Sequence, residues 1–363
     1  MDYGGDKMLR IDFFNREKEM MGIMNVLNMK PTLITFVYGP INSGKTELIN
    51  NLIKKLPENY KIFYINLRGR FIRDYDEFIK VLFDIEREER FGRIKEFLKP
   101  LVSVLPESYS GIPIPKDVFL KIFMEKEIED AFVYIETVLR AFYNSGYIPV
   151  LIIDELQVIG DVKVDDLLIY KIFNLFVRLT KELHLAHVFA ITSDSLFIER
   201  VYSEAMLQGR CRYLIVDDFD KETTLEFLNK YNFSKEEKEI AWHYCGGKPV
   251  YLLELIMAKD KQDKAEELLK IRINQLEYLL DYLNYVKPKV LMGDEEMIVE
   301  KEHIMKILIM FKDKDVIKNR GIHGPAKHFL VKQNILFVDP TSGIVKPQSH
   351  LDLLAIKKVV EGE

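Results

Sequence analysis

Cysteine is nearly absent from this 363-residue chain. Cys211 and Cys245 stand alone, which excludes a disulfide framework and leaves no C-x-x-C pair for zinc. Glutamine is scarce as well, with six in the chain against abundant Lys and Glu, a bias met in proteins from hot environments. No apolar run, Ile148 to Ile153 included, approaches the roughly 20 residues that a bilayer span needs. Met1 to Arg10 carries acids and glycines where a signal peptide would carry an apolar core. The expectation is therefore a cytoplasmic protein with no membrane partner. Positive charge is not in surplus either: a net charge of −5 excludes a globally basic nucleic-acid coat and leaves only a local basic patch. The chain is too long for one ordinary core, so about two or three domains are expected.

What is present begins with Gly39-Pro40-Ile41-Asn42-Ser43-Gly44-Lys45-Thr46, which satisfies G-x-x-x-x-G-K-[ST] at each fixed position. A glycine-rich turn of this kind points successive backbone N–H groups inward, and the helix that follows adds positive potential at its N-terminus. Those are the requirements of a phosphate-binding loop. The chain is expected to bind a nucleoside triphosphate with Mg²⁺, Lys45 reaching the β- and γ-phosphates and Thr46 holding the metal. The flanks agree. Leu33 to Tyr38 is a short apolar, β-branched and aromatic run suited to a buried parallel strand. Glu47 to Leu56 contains no Gly or Pro and sets Leu48, Ile49, Leu52, Ile53 and Leu56 on one helical face.

Residues 1–218 alternate helix and strand, the pattern of an α/β domain with a parallel sheet. Strands are predicted at Leu33–Tyr38, Lys61–Leu67, Ile148–Ile153, Val188–Thr192 and Tyr213–Val216. An insertion around 87–115 interrupts them, charged from Arg87 to Lys99 and a turn-rich break from Pro106 to Pro115, before a helix-like stretch from Val118 to Tyr143. Residues 219–288 read as a small helical domain. Its one interruption is Gly246-Gly247-Lys248-Pro249, where glycine ends one helix and proline opens the next. Polar residues from Lys287 to Asp294 mark the next boundary. Residues 289–363 hold helix candidates at Glu300–Phe311, Val316–Asn319 and Gly324–Gln333, then a hairpin of Ile335–Asp339 and Ile344–Lys346 around Pro340-Thr341-Ser342-Gly343. Three helices closed by a hairpin predict a winged helix.

Val150-Leu151-Ile152-Ile153-Asp154-Glu155 is an apolar strand ending in two carboxylates. A buried parallel strand delivers its end to the sheet edge where the phosphate loop lies. There Asp154 would bind Mg²⁺, and Glu155 would orient and deprotonate an attacking water. The glutamate favours hydrolysis over transfer to a second substrate. Thr192 and Ser193 end another strand at the same edge; in P-loop ATPases with an extra strand between the two Walker strands a polar residue there contacts the γ-phosphate or the lytic water, while a polar strand end is also ordinary turn chemistry. Arg210, in Gly209-Arg210-Cys211-Arg212 before the last strand, suits transition-state stabilisation, in cis or in trans, and equally an ion pair with Asp217 or Asp218.

With these residues in place, the chain resembles the archaeal ATPase family of the STAND group, relatives of the AAA+ and origin-recognition ATPases. The resemblance covers nearly the whole length: Phe14-Asn15-Arg16-Glu17-Lys18-Glu19, the two Walker segments, Gly209-Arg210, Gly246-Gly247-Lys248-Pro249 and the terminal winged helix. It implies that ATP is the nucleotide, that Asn15 and Arg16 open the first helix beside the adenine, and that Pro249 touches the base from a helical lid. Asn15 is also a good helix N-cap on its chemistry alone. The wide separation of Lys45 from Asp154 departs from the family pattern. The implied function is a slow ATP-hydrolysing switch whose winged helix reports the nucleotide state. Its rival is a nucleotide-stabilised DNA-binding or scaffold protein with negligible hydrolysis. Lys312 to Pro347 carries seven Lys/Arg against three Asp, with Lys327 and His328 on the expected recognition helix, which suits contacts to DNA phosphates. Docking of a protein partner is the alternative use of that module. Oligomeric state has no signature in the sequence.

Overall fold

The computed structural model describes residues 13–86, 108–125, 128–164, 166–293 and 295–362. Helix α1 (Glu17–Leu27) leads to β1 (Ile34–Tyr38), and the glycine loop turns into α2 (Lys45–Lys55), followed by β2 (Tyr60–Asn66), α3 (Tyr75–Leu82) and β3 (Phe83–Glu86). Residues 87–107, most of the expected insertion, lie outside the described residues. The chain continues with β4 (Ser108–Tyr109), β5 (Ile112–Pro115), α4 (Lys116–Glu125), α5 (Ile128–Asn144) and β6 (Ile148–Asp154). A small hairpin, β7 (Lys163–Val164) and β8 (Asp166–Leu167), precedes α6 (Leu168–Val177), β9 (His187–Thr192), α7 (Ser195–Ser203) and β10 (Cys211–Ile215).

Six of these strands form one sheet in the order β10-β1-β9-β6-β2-β4, with parallel pairing throughout. The five expected strands are all in it, with β9 lying between β1 and β6. Both faces are covered, which is why the strands read as continuous apolar runs. On one face α1 and α2 pack on Val37, Ile62, Val150, Ile152, Phe189 and Ile191. On the other a larger core gathers Phe36, Phe63, Leu151, Ile153 and Val188 with the apolar sides of α3 to α6. No helix among the described residues is long and apolar enough to cross a membrane.

The stretch expected as a turn-rich break, Pro106 to Pro115, contains two short strands where it is described. Gly111 makes the turn at φ 113, and β5 pairs in parallel with β3. Ile112 and Ile114 are fully buried, with Pro113 and Pro115 alternating between them on an edge strand, where missing N–H groups are tolerated.

From Asp220 the chain is helical as expected: α8 (Lys221–Asn229), α9 (Lys235–Cys245), α10 (Pro249–Met257) and α11 (Lys261–Tyr285). Asp220, Ser234 and Asp260 cap three of these helices, and Pro249 fills the first position of the fourth. Their core of Phe227, Phe233, Leu252 and Leu255 takes in Phe14 and Phe219. Helix α11 is shared, giving Ala265 to this core and Leu276, Leu280 and Leu283 to the last one.

The remaining elements are a hairpin of β11 (Lys289–Met292) and β12 (Glu295–Ile298), then α12 (Lys301–Ile309), β13 (Ile317–Lys318), α13 (Gly324–Lys332), β14 (Leu336–Asp339), β15 (Ile344–Pro347) and α14 (His350–Gly362). Strands β13, β15 and β14 form an antiparallel sheet in that order. One expectation is corrected. Val316–Asn319 is not a helix: Ile317 pairs with Val345 and is buried, and a β-branched pair this short is settled by the partner strand rather than by local propensity. The polar stretch after Lys287 opens the hairpin of β11 and β12.

The turn between α9 and α10 is tied by backbone contact at Gly247 to the segment that follows β10. Phe219 N–H donates to the Gly247 carbonyl at 2.9 Å, and a Cβ on Gly247 would fall 1.7 Å from the Phe219 carbonyl oxygen. Gly247→Ala is therefore expected to destabilise the protein by about 3 kcal/mol, read as a lowered thermal midpoint. Gly362→Ala, with nothing within 4 Å, should change stability by less than about 0.5 kcal/mol.

Candidate functional site

Parallel pairing fixes where strand ends emerge. Asp154 stands beside Asn66 of β2 and Ile191 of β9, and Tyr38 of β1 stands beside Thr192. The segments that follow these four strands meet at one edge. There Asn42 (φ 59) and Gly44 (φ 92) are left-handed, the geometry that turns neighbouring N–H groups into an anion-binding concavity. Asn42 costs about 1 kcal/mol in that conformation, a form of strain found at binding sites. A Cβ on Gly39 would fall 2.1 Å from the Val216 carbonyl oxygen, so only glycine lets the loop leave the sheet here.

Lys45 is 6% exposed, and its ammonium turns back on the loop to donate to the carbonyls of Gly39 (3.0 Å) and Pro40 (2.8 Å). Burial, reinforced by the Lys248 charge, pulls its pKa down to about 8. Thr46 Oγ1 donates to Asp154 Oδ2 at 3.1 Å, and the Tyr64 hydroxyl donates to the same oxygen at 2.8 Å. A buried carboxylate converging with a hydroxyl is a set of hard oxygen donors that fits Mg²⁺.

Glu155 is left-handed too, at φ 60, and begins the short 3₁₀ helix Leu156–Ile159. Its carboxylate is fully engaged. Arg68 donates to Oε1 through Nε at 3.2 Å and Nη2 at 2.5 Å. Gln157 and Ser193, the latter at 3.2 Å, donate to Oε2. Burial alone would raise the pKa of Glu155, but the hydrogen bonds from Arg68 and Gln157 and the Arg68 charge bring it below the ordinary value. Thr192 Oγ1 donates to Gln157 Oε1 at 2.6 Å, so Ser193 reaches Glu155 directly and Thr192 reaches it through Gln157.

Lys45, Thr46, Arg68, Glu155 and Ser193 line a cavity of about 910 Å³ whose apolar wall includes Phe13, Phe14, Phe219, Phe227, Pro249 and Leu253. Arg16 joins the two parts: its guanidinium donates to the Ser43 carbonyl at 2.7 Å and lies 4.5 Å from the Phe219 ring centre. Pro40, Ile41 and Asn42 complete the loop between Gly39 and Ser43, with Ile41 and Asn42 on the cavity wall.

Two expected residues stand apart. Asn15 does not cap α1, a position held by Arg16. Its Nδ2 donates to Thr223 Oγ1 at 3.1 Å and ties the N-terminal segment to α8. Arg210 lies at the opposite end of the sheet, where its carbonyl accepts from the N–H of Ile34 at the start of β1. Within one chain it is a full strand length from the glycine loop. Nor do Asp217 and Asp218 pair with it, since they pair with Lys346 and Lys248. The sequence reading missed Arg68 and Lys248. Arg68 follows β2, and only the strand order brings that strand end beside Glu155. Lys248 is 2% exposed and donates to the Ile41 carbonyl at 2.9 Å while pairing with Asp218 at 3.0 Å.

The arrangement has counterparts among known proteins. Residues 13–255 match the family described as an ATPase domain predominantly from Archaea, and residues 262–360 match the one described as the C-terminal domain of uncharacterized, MJ1010-like ATP-binding proteins. An uncharacterized ATP-binding protein of Pyrococcus abyssi is 45% identical over 350 residues, covering 96% of this chain and 99% of its own length. One from Methanocaldococcus jannaschii is 47% identical over 361 residues, with coverage of 96% and 99%. Among solved structures, a Walker-type ATPase of Pyrococcus abyssi matches with a TM-score of 0.61 at 17% identity, over 96% of this chain and 97% of its own, a likeness of fold.

Lys45 carries a pH prediction. Its pKa is about 8 in the folded chain against an ordinary 10.5, so between those values the unfolded chain binds more protons. The group therefore makes the ligand-free protein more stable as pH rises through that window. Phosphates beside the ammonium would restore its charge. Titration calorimetry with ATP near pH 8.5, in buffers of different ionisation enthalpy, should read uptake of about 0.5–1 proton per ATP. Binding without proton uptake would remove Lys45 from the phosphates.

Proposed function

The chain belongs to the family of ATPase domains found predominantly in Archaea, and from that premise we propose that it is a slow, Mg²⁺-dependent ATPase working as a nucleotide-dependent switch. The observation that carries the reading is that the glycine loop and Glu155 line one cavity, with Asp154 at the same strand edge accepting a hydrogen bond from Thr46 on its wall. The base of ATP would pack against Phe14, Phe219 and Pro249, with the phosphates in the concavity of residues 39–46. Thr46 and Asp154 would hold Mg²⁺, which when bound neutralises charge on the phosphate oxygens. Lys45 exchanges the loop carbonyls for phosphate oxygens. Glu155 takes the proton of the attacking water once Arg68 lets it go, and Ser193 and Thr192 keep Glu155 and Gln157 in line. A carboxylate that already accepts from Arg68, Gln157 and Ser193 is a poor base, which is why turnover is slow.

The division into an ATPase domain (1–218), a helical lid (219–288) and a winged-helix output (289–363) is supported by the separate apolar cores and by the helix, strand, helix and hairpin order after residue 300. The engaged Glu155 also favours a second reading, in which the chain holds ATP without turning it over and serves as a nucleotide-stabilised binding or scaffold protein.

Phosphate release from ATP, with Lys45→Ala as the blank, tests both. Glu155→Gln is expected to lower kcat at least about 100-fold with ATP binding kept. Arg68 is 61% exposed, so its hold is screened by solvent, and Arg68→Ala should raise turnover about two- to fivefold. Absence of Lys45-dependent release in both wild type and Arg68→Ala would leave the binding-only reading standing.

A further inference from the structure

Three contacts tie the C-terminal sheet and α13 to the nucleotide edge. Tyr38 at the end of β1 donates to Asp339 at 2.7 Å, the Ile41 N–H donates to Gln348 Oε1 at 3.1 Å, and Asp194 pairs with Lys332 at 2.9 Å. Next to the last of these, a single oxygen of Glu199 on α7 accepts from Lys327 Nζ and from Asn319 Nδ2, each at 2.7 Å, while Lys327 also donates to Asn319 Oδ1 at 2.9 Å. The Lys327 side chain is 13% exposed. In this state α7 covers Lys327 on the face of α13 that was expected to meet DNA phosphates.

Two donors from separate elements meeting on one anionic oxygen is how side chains hold a nucleic-acid phosphate. In the chain leading through β13 to Asn319 and just past it, Lys312, Lys314, Lys318 and Arg320 are exposed. The acids of that turn are Asp313 and Asp315, and Asp315 is paired with Lys357. Lys327 and Lys332 would thus extend a surface of like charge that fits the closely spaced phosphates of a duplex.

We propose that α13 and β13 form a binding surface for the phosphate backbone of duplex DNA, closed in this state by Glu199 and Asp194, whose carboxylates stand where phosphates would. The switch reading of the nucleotide site supplies only the trigger: Ser193 is bonded to Glu155 and Asp194 follows it in the chain. The binding surface itself does not depend on hydrolysis.

Glu199→Gln keeps the side-chain volume and removes the charge. Anisotropy of a fluorescein-labelled duplex of arbitrary sequence, titrated with the full chain, is expected to read at least about tenfold tighter binding for this variant than for wild type, as follows when a tenth or less of the wild type is open. Adding Lys327→Ala should abolish the gain. Glu199→Asp, whose shorter reach cannot hold both donors, is expected to act in the same direction and serves if the thermal transition shows Glu199→Gln to be unfolded. Equal affinity in wild type and the Glu199 variants, or a gain that survives Lys327→Ala, overturns the proposal. Binding of poly-glutamate in place of DNA overturns the nucleic-acid assignment in favour of an acidic protein partner. Phosphate release by Glu199→Gln, measured alongside, separates the two readings, since the DNA gain can appear in a chain without turnover and be missing from one that hydrolyses ATP.

Discussion

The register of β6 between β9 and β2, with Asp154 level with Ile191 and Asn66, is the constraint on which the site depends. It is held from both sides. Phe189 and Ile191 point into the core under α1 and α2, and Val188 and Ala190 point into the larger core opposite. A slip of one residue would exchange the two sets. Fully burying one such large apolar side chain contributes about 1.5–3 kcal/mol, whereas a left-handed non-glycine residue costs about 1–3. The sheet can therefore keep both Asn42 and Glu155 in that conformation at its edge.

The glycine loop is held by charge as much as by shape. Lys45 donates to the carbonyls of Gly39 and Pro40, Lys248 to that of Ile41, and Arg16 to that of Ser43. Three cations, Lys45 at the start of α2, Lys248 from the turn between α9 and α10, and Arg16 at the N-cap of α1, thus satisfy carbonyls of one loop. The result is a concavity whose positive potential comes from side chains as well as from the backbone and the α2 N-terminus. Arg16, Lys248 and, through the Ile41 N–H, Gln348 bring three separate chain segments against the loop.

Much of this was legible in the sequence, and the gaps have physical causes. The glycine loop, the strands around it and the helix break at Gly246-Gly247-Lys248-Pro249 are local patterns, and they stand where the residues indicated. Arg68 was hidden because its partner is set by strand order. For Arg210 a rule already at hand bears against action within its own chain and leaves action in trans: a residue that precedes a parallel strand lies at the edge opposite the one where that strand ends. Val316–Asn319 is too short to carry a period, and the prolines of β5 concealed an edge strand. The charge of Lys327 was visible, but its covering by Glu199 depends on a contact across 128 residues.

The tip of β9 connects the two halves of the molecule. Ser193 bonds Glu155, while Asp194 caps α7 through one carboxylate oxygen, accepting from Leu196 and Phe197 at 2.9 and 3.2 Å, and pairs with Lys332 through the other. The cap makes Asp194 part of α7, which also carries Glu199. Both carboxylates that meet α13 therefore sit on one rigid element whose first residue follows the strand tip. Helices move as units, because their internal hydrogen bonds resist bending while side-chain contacts at their surface exchange readily. A displacement of the tip large enough to break the Ser193 bond to Glu155 would carry both carboxylates with it. On the proposed reading, freeing the base and uncovering α13 are then a single event.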